Sequence, residues 1–192
     1  MDALHKAKEY YSYANYCSWT GNERWELIEG MPYAMSPAPS WFHQEIIGSI
    51  HYQLYGFLKD KSCKAFVAPV DVCLYGAGDN DQTVVQPDIL VVCDNTKLKG
   101  NCCNGAPDMV IEVLSPTSVK HDRMIKFQQY QKAGVREYWI VDPETKSVST
   151  HILNNGEYMI RVYFDSDKVP VHVLEGCMID LAEVFDGGNN AD

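Results

Sequence analysis

Glu112 lies inside Met109-Val-Ile-Glu-Val-Leu114, a run that otherwise reads as a buried strand. An ionised carboxylate is costly there unless a cation or hydrogen-bond donors meet it. Asp88 heads a second apolar run, Asp88-Ile-Leu-Val-Val92. Two neighbouring strands that each present a carboxylate on one face offer oxygen ligands to a hard divalent cation. Mg²⁺ prefers one or two carboxylates, with water and substrate phosphate completing its shell. Such a site can activate water and neutralise charge at a phosphodiester. The competing account has Asp88 capping a turn and Glu112 pairing with a core Arg or Lys, and spacing alone does not choose between them. Asp108 is a rival carboxylate in the same strand, four residues before Glu112. Positions four apart share a face but stand about 13 Å apart at roughly 3.3 Å per residue. That is too far for one ion, so Asp108 is expected to cap the start of the strand.

The elements that must hold these residues are legible from periodicity and punctuation. Trp25-Glu-Leu-Ile-Glu-Gly30 and Met31–Met35 predict two short strands around a Glu-Gly turn. Ser40 is placed to cap a helix over 41–59, where Ile47, Ile50, Leu54, Phe57 and Leu58 recur at helical spacing. Strands are expected over Ala65–Tyr75, Val84–Cys93 (broken at its start by Pro87), Met109–Leu114 and Tyr138–Val141, with a polar loop over Asn95–Ala106. A helix over Val119–Ala133 ends at Gly134, as glycine commonly ends helices. Asn154-Asn-Gly156 between Ser147–Leu153 and Tyr158–Phe164 is a strong hairpin signal. Val171–Val173 and the apolar segment Met178–Phe185 close the chain, and a weak tyrosine-rich helix is read at Ala3–Ala14. The expected organisation is an N-terminal helical segment (1–22), one α/β domain with a mixed sheet (23–186) and a disordered tail (187–192).

Composition bounds the function. The chain has 192 residues, 46% apolar and 11% aromatic, which suits one packed domain. No apolar run is long enough to span a bilayer, no export signal is read at the N-terminus, and the expected location is cytoplasmic. Seven cysteines without a C-x-x-C pair argue against structural zinc and suggest reduced thiols. The net charge of −10 argues against a non-specific DNA coat protein, because phosphate contacts need Lys and Arg. The acidity is uneven: residues 137–192 carry a net −8, whereas 119–136 carry a net +4 through Lys120, Arg123, Lys126, Lys132 and Arg136 against Asp122.

A set of motifs joins these observations. Glu26-Leu-Ile-Glu-Gly30, Met35-Ser-Pro37, His43, Gln86-Pro-Asp88, Ala106-Pro-Asp-Met-Val-Ile-Glu-Val-Leu-Ser-Pro116, Asp122 with Lys126 and Tyr130, and Gly134-Val-Arg-Glu-Tyr-Trp-Ile-Val-Asp-Pro143 stand in order along the chain. Together they resemble the Uma-two-type family, described as restriction endonucleases of the PD-(D/E)XK superfamily. The resemblance covers about residues 23–185. It implies a restriction-endonuclease-like α/β (α+β) core, with Asp88 as the aspartate of the superfamily motif and Glu112 as its second acid. The lysine the pattern expects two residues after the glutamate is Leu114 here. Some superfamily members carry that lysine on the following helix, and Lys126 fits the placement; the alternative for Lys126 is an ordinary surface pair with Asp122. The similar family has an acid at Glu29, which makes it a further candidate ligand, and His43 is a weaker candidate still.

The leading expectation is therefore a metal-dependent endonuclease acting on DNA. Asp88, Glu112 and a backbone carbonyl near Val113 would hold Mg²⁺, with Mn²⁺ as a substitute. Lys126 would position the attacking water, and the basic helix would face the phosphates. Cleaving both strands favours a homodimer. The rival from another class is a catalytically silent module that binds a protein partner; a third is a hydrolase of small phosphate esters. A nucleophilic role for Ser115 is rejected, since nothing places a base beside it.

Overall fold

The computed structural model describes residues 10–21, 23–35, 40–115 and 121–187, the last range without the side chains of 121–123. The helix expected at Ala3–Ala14 and the tail at 187–192 fall mostly outside these residues; the helix described nearby is the single turn α1, Tyr13–Cys17.

The first hairpin pairs β1 (Trp25–Ile28) with β2 (Met31–Ala34). Its turn needs positive φ at both Glu29 (50°) and Gly30 (77°). Gly30 is also required by space, because a Cβ there would come within 2.9 Å of Tyr10. Helix α2 (Trp41–Leu58) begins where expected, with the Ser40 hydroxyl accepting from the His43 backbone N–H at 3.2 Å. It buries Ile46, Ile47, Ile50, Leu54 and Leu58 along one stripe.

The two strands expected next each divide in two at a proline, because a residue without N–H cannot continue a central ladder. Ala65–Tyr75 becomes β3 (Lys64–Val67) and β4 (Asp71–Cys73), with the cis Ala68–Pro69 peptide between them. Val84–Cys93 becomes β5 (Val84–Val85) and β6 (Ile89–Val92), separated at Pro87. The expected polar loop contains β7 (Leu98–Lys99) and β8 (Cys102–Asn104), which takes in the cysteine doublet. Strand β9 (Met109–Val113) is buried at all five positions. Helix α3 (Phe127–Ala133) follows a wider helical turn at His121–Lys126 and stops at Gly134, φ 84°. Then come β10 (Glu137–Asp142), the long hairpin β11 (Ser147–Asn154) and β12 (Glu157–Phe164), the pair β13 (Lys168–Pro170) and β14 (Met178–Asp180), and α4 (Leu181–Phe185).

Prolines divide the strands because the chain builds two six-stranded sheets, beside the two-stranded β13–β14. One runs β2-β1-β5-β4-β8-β7 and the other β12-β11-β10-β9-β6-β3. Both are mixed: β9 pairs parallel with β10, β4 parallel with β8, and the remaining ladders are antiparallel. The strand faces sort into separate cores. Ile89, Val91, Met109, Ile111, Val113, Trp139 and Val141 meet α2, α4 and the C-terminal strand pair. The opposite face of the same strands, through Leu90, Val92, Val110, Tyr138 and Ile140, meets Ile28, Val72, Val85 and Cys103 of the first sheet and Tyr130 of α3. Burying such side chains contributes about 1.5–3 kcal/mol each. The layer between the two sheets holds the carboxylates. Among the described residues no helix is long and apolar enough to cross a membrane.

The expectation of reduced thiols fails at one pair. Cys63 and Cys93 flank the first residue pair of the β3–β6 ladder, Lys64 opposite Val92, and are joined by a disulfide. Register brings together two residues thirty positions apart, which a search for C-x-x-C spacing does not detect. Cys17, Cys73, Cys102, Cys103 and Cys177 are free thiols.

Candidate metal and catalytic site

Asp88 and Glu112 are brought together by register. Ile89 stands opposite Ile111 at the end of the antiparallel β6–β9 ladder, and continuing that register one residue beyond the ladder sets Asp88 across from Glu112. Residues directly opposite share a face, with Cβ atoms about 4.5–5.5 Å apart. That face is the one toward the first sheet, since Leu90 and Val110 point there. Asp88 Oδ2 accepts from the Val113 backbone N–H at 2.8 Å, which ties its carboxylate to the residue after Glu112. Asp88 is partly exposed, at 22% of its side chain, whereas Glu112 is buried.

Lys126 closes the site from the other side. Its Nζ lies 2.9 Å from Glu112 Oε1 and 2.9 Å from Glu26 Oε1. All three side chains are nearly inaccessible to solvent. The lysine thus reaches the carboxylate from the turn ahead of α3, where the sequence pattern offered only Leu114 in the strand. Leu114 itself is buried in the apolar core. Tyr130, one helical turn beyond Lys126, donates its hydroxyl to the same Glu112 oxygen at 2.8 Å. Burial, then the Glu112 and Glu26 charges, push the Tyr130 phenol well above its ordinary value, so it remains a donor. The side chain of Asp122, expected on the same face, lies outside the described residues.

Glu26 is the residue that sequence reasoning passed over. It stands on β1 beside Leu27, which faces away into a third, aromatic cluster. Glu26 and Ile28 therefore face the second sheet. Glu26 Oε1 also accepts from the Gln86 backbone N–H at 2.8 Å, close to the Pro87-Asp88 corner. The signal was present: a charged residue in an apolar strand, the same anomaly that identified Glu112. Glu29, chosen instead, sits in the turn with its side chain 63% exposed, 3.6 Å from Lys132 and accepting from Gln129. The structure does not bring Glu29 into contact with Asp88 or Glu112 in any described interaction.

His43 does join the cluster. From the first turn of α2, its Nε2 lies 2.9 Å from the Val113 carbonyl oxygen and 3.6 Å from Asp88 Oδ2. The Val113 carbonyl expected to help hold a cation is thus the carbonyl that the imidazole meets. Asp108 is taken up at the start of β9, accepting from Cys93 N–H and pairing with Arg136. The basic segment does not present all its charge to solvent: Lys126 is buried, Lys132 pairs with Glu29 and Arg136 with Asp108.

The donor set fits a hard cation. Asp88, Glu112 and the Val113 carbonyl are all oxygen donors, as Mg²⁺ requires, and softer Cys or multi-His ligands are absent from the cluster. Among the described residues no group of three or more His, Cys, Asp or Glu side chains could hold a metal ion.

Comparisons with known proteins give the chain its family and its fold. An uncharacterized protein of Synechocystis sp. is 26% identical over 158 residues, 80% of each chain. A crystal structure of a "putative nuclease belonging to DUF820" from Anabaena variabilis superposes with a TM-score of 0.72 at 20% identity, covering 91% of this chain and 97% of that one. The restriction-endonuclease-like α+β core expected from sequence is the fold observed. Residues 8–182 match the profile of the Uma2 family, described as "Putative restriction endonuclease", and the chain belongs to that family.

Proposed function

We propose that the protein is a metal-dependent endonuclease that hydrolyses DNA phosphodiester bonds, with Asp88 and Glu112 holding Mg²⁺ or Mn²⁺. The observation that carries this reading is the Asp88 carboxylate bonded to the Val113 N–H, the residue beside Glu112, with the Lys126 ammonium on that second carboxylate. Family membership supports the same chemistry. Asp88, Glu112 through Oε2, and the Val113 carbonyl would hold the cation. When bound, it would neutralise phosphate charge and lower the pKa of a coordinated water. Lys126, fixed between Glu26 and Glu112, holds a proton and a positive charge at the edge of the site, where it orients the attacking water and the scissile phosphate. His43 fixes the Val113 carbonyl and stands beside Asp88. Cytoplasmic DNA is the natural substrate on this reading, and cutting both strands calls for a homodimer.

The rival, a silent nuclease-fold module that binds a protein, is disfavoured by the three ionisable side chains kept buried together at Glu26, Glu112 and Lys126, which a scaffold does not need. The experiment is a substrate comparison with purified protein and Mg²⁺: supercoiled plasmid, single-stranded DNA, RNA and a small phosphate ester. The reading predicts cleavage of DNA. Turnover of the small ester alone would replace it with the phosphate-ester hydrolase. Inactivity on all four, together with no metal binding by calorimetry, would replace it with the silent module.

A further inference from the structure

Strand β12 is the outer strand of the second sheet, and among the described residues it pairs only with β11. It is eight residues long and exposes Met159, Ile160, Val162 and Phe164, each more than half accessible. A long apolar edge with unpaired backbone is a template for another strand, and monomeric proteins usually blunt such edges. Here the only charges in the strand are Glu157 at its start and Arg161 in its middle. Neither has an ion-pair partner among the described residues.

The turn settles which backbone groups point outward. Asn155 (φ 50°) and Gly156 (φ 86°) form a two-residue turn between the paired residues Asn154 and Glu157. In such a hairpin the residues flanking the turn form a hydrogen-bonded pair, and bonding then alternates along the strand. Glu157, Met159, Arg161 and Tyr163 therefore direct their N–H and C=O groups toward β11. Tyr158, Ile160 and Val162 direct theirs outward. Phe164 N–H agrees with this alternation: it is taken by the Asp167 carboxylate at 2.8 Å, beyond the ladder.

We infer that the β12 edge is the interface for a second copy of this chain, joined antiparallel about a two-fold axis at Met159. Five symmetric registers pair Tyr158, Ile160 or Val162 of two copies, and three of these, centred on Met159, Ile160 and Arg161, pair at least two of the three residues in each copy. Centring on Arg161 sets it against its own image, which repels. Centring on Ile160 sets Arg161 against the partner's Met159 with the partner's Arg161 on the diagonal. Centring on Met159 sets Glu157 directly opposite the partner's Arg161, and Arg161 opposite the partner's Glu157. These fall at non-hydrogen-bonded positions, where opposed Cα atoms approach to about 4.5 Å and side chains meet most closely. Tyr158 and the partner's Ile160 then exchange backbone hydrogen bonds, twice by symmetry. The charge pattern thus selects one register, and that register is self-complementary, as a two-fold interface must be. This surface is argued from the strand itself and stands whether or not the chain cleaves DNA. Asp88 immediately precedes β6 and Glu112 lies on β9, strands that stand four and three in from the edge.

Sedimentation of the full chain over a range of concentrations tests it, with thermal melting of each variant as the control for folding. The wild type should sediment at twice its 21.7 kDa chain mass. Arg161→Glu, and separately Glu157→Arg, should each weaken association at least tenfold. The double swap Glu157→Arg with Arg161→Glu should restore it. A wild type that stays monomeric at every concentration overturns the inference, as does a dimer indifferent to both single charge reversals or one that the double swap fails to recover.

Discussion

Lys126 Nζ sits 2.9 Å from Glu26 Oε1 on one sheet and 2.9 Å from Glu112 Oε1 on the other, so a single ammonium joins the two sheets at the candidate site. Removing it leaves two carboxylates buried beside each other. Breaking a buried pair in this way costs about 3–5 kcal/mol. Lys126→Met should lower stability by that amount in urea unfolding. A change below about 1 kcal/mol would mean that the carboxylates have other compensation.

Glu26 and Glu29 are separated by two residues and by opposite environments. Glu26→Gln removes one of the two charges that hold the lysine, and DNA cleavage should fall on the order of 10²-fold, the range of a positioned proton-handling group. Glu29→Gln alters an exposed pair, worth about 0–1 kcal/mol, and should leave cleavage within about twofold. Initial rates on plasmid DNA compare the two, and the reverse order would return Glu29 to the site.

Tyr130→Phe deletes a buried hydroxyl that donates to Glu112. Leaving that acceptor short of one donor should cost about 1–3 kcal/mol. The shape of the core is kept, so the near-ultraviolet dichroism should change little while the melting temperature drops.

His151 gives the fold a pH dependence of known sign. Burial among Tyr138, Tyr158 and Phe127 holds its folded pKa below the ordinary 6.5, although its bond to the Tyr138 carbonyl works the other way. Below 6.5 the unfolded chain therefore binds a proton that the folded chain resists, and stability falls as pH drops through that window. Denaturant unfolding at pH 7.5 and 5.5 should show a loss on acidification that is smaller in His151→Gln. An equal loss in both proteins would assign the effect elsewhere.

The Cys63–Cys93 disulfide closes a thirty-residue loop. In the chain-entropy account such a loop contributes about 3.5 kcal/mol. Urea unfolding with and without a thiol reductant should differ by an amount of that order, and the difference should vanish in Cys63→Ser.

Much of this was legible in the sequence because local chemistry and tertiary context agree. Ser40 caps α2, Gly134 ends α3, and Asn155-Gly156 turns the β11–β12 hairpin as their residue types require. Asp88 and Glu112 stood out because a charge in an apolar strand demands a partner; Lys126 and Tyr130 supply it for Glu112, and the Val113 N–H supplies it for Asp88. What sequence could not show depends on contacts between distant segments. Pro69 and Pro87 mark where the chain leaves one sheet for the other, but a proline does not say that two sheets exist. Glu26 showed the same anomaly as Glu112, yet only the facing of β1 toward the second sheet distinguishes it from Glu29 three residues on. The Cys63–Cys93 pairing follows from register alone.

Relaxation of supercoiled plasmid in Mg²⁺, comparing wild type with Asp88→Ala, tests the central claim most directly. The account predicts metal-dependent nicking by the wild type and its loss in the variant, with the variant still folded. Equal nicking by both proteins would contradict it, because the cleavage would then not come from a site built on Asp88.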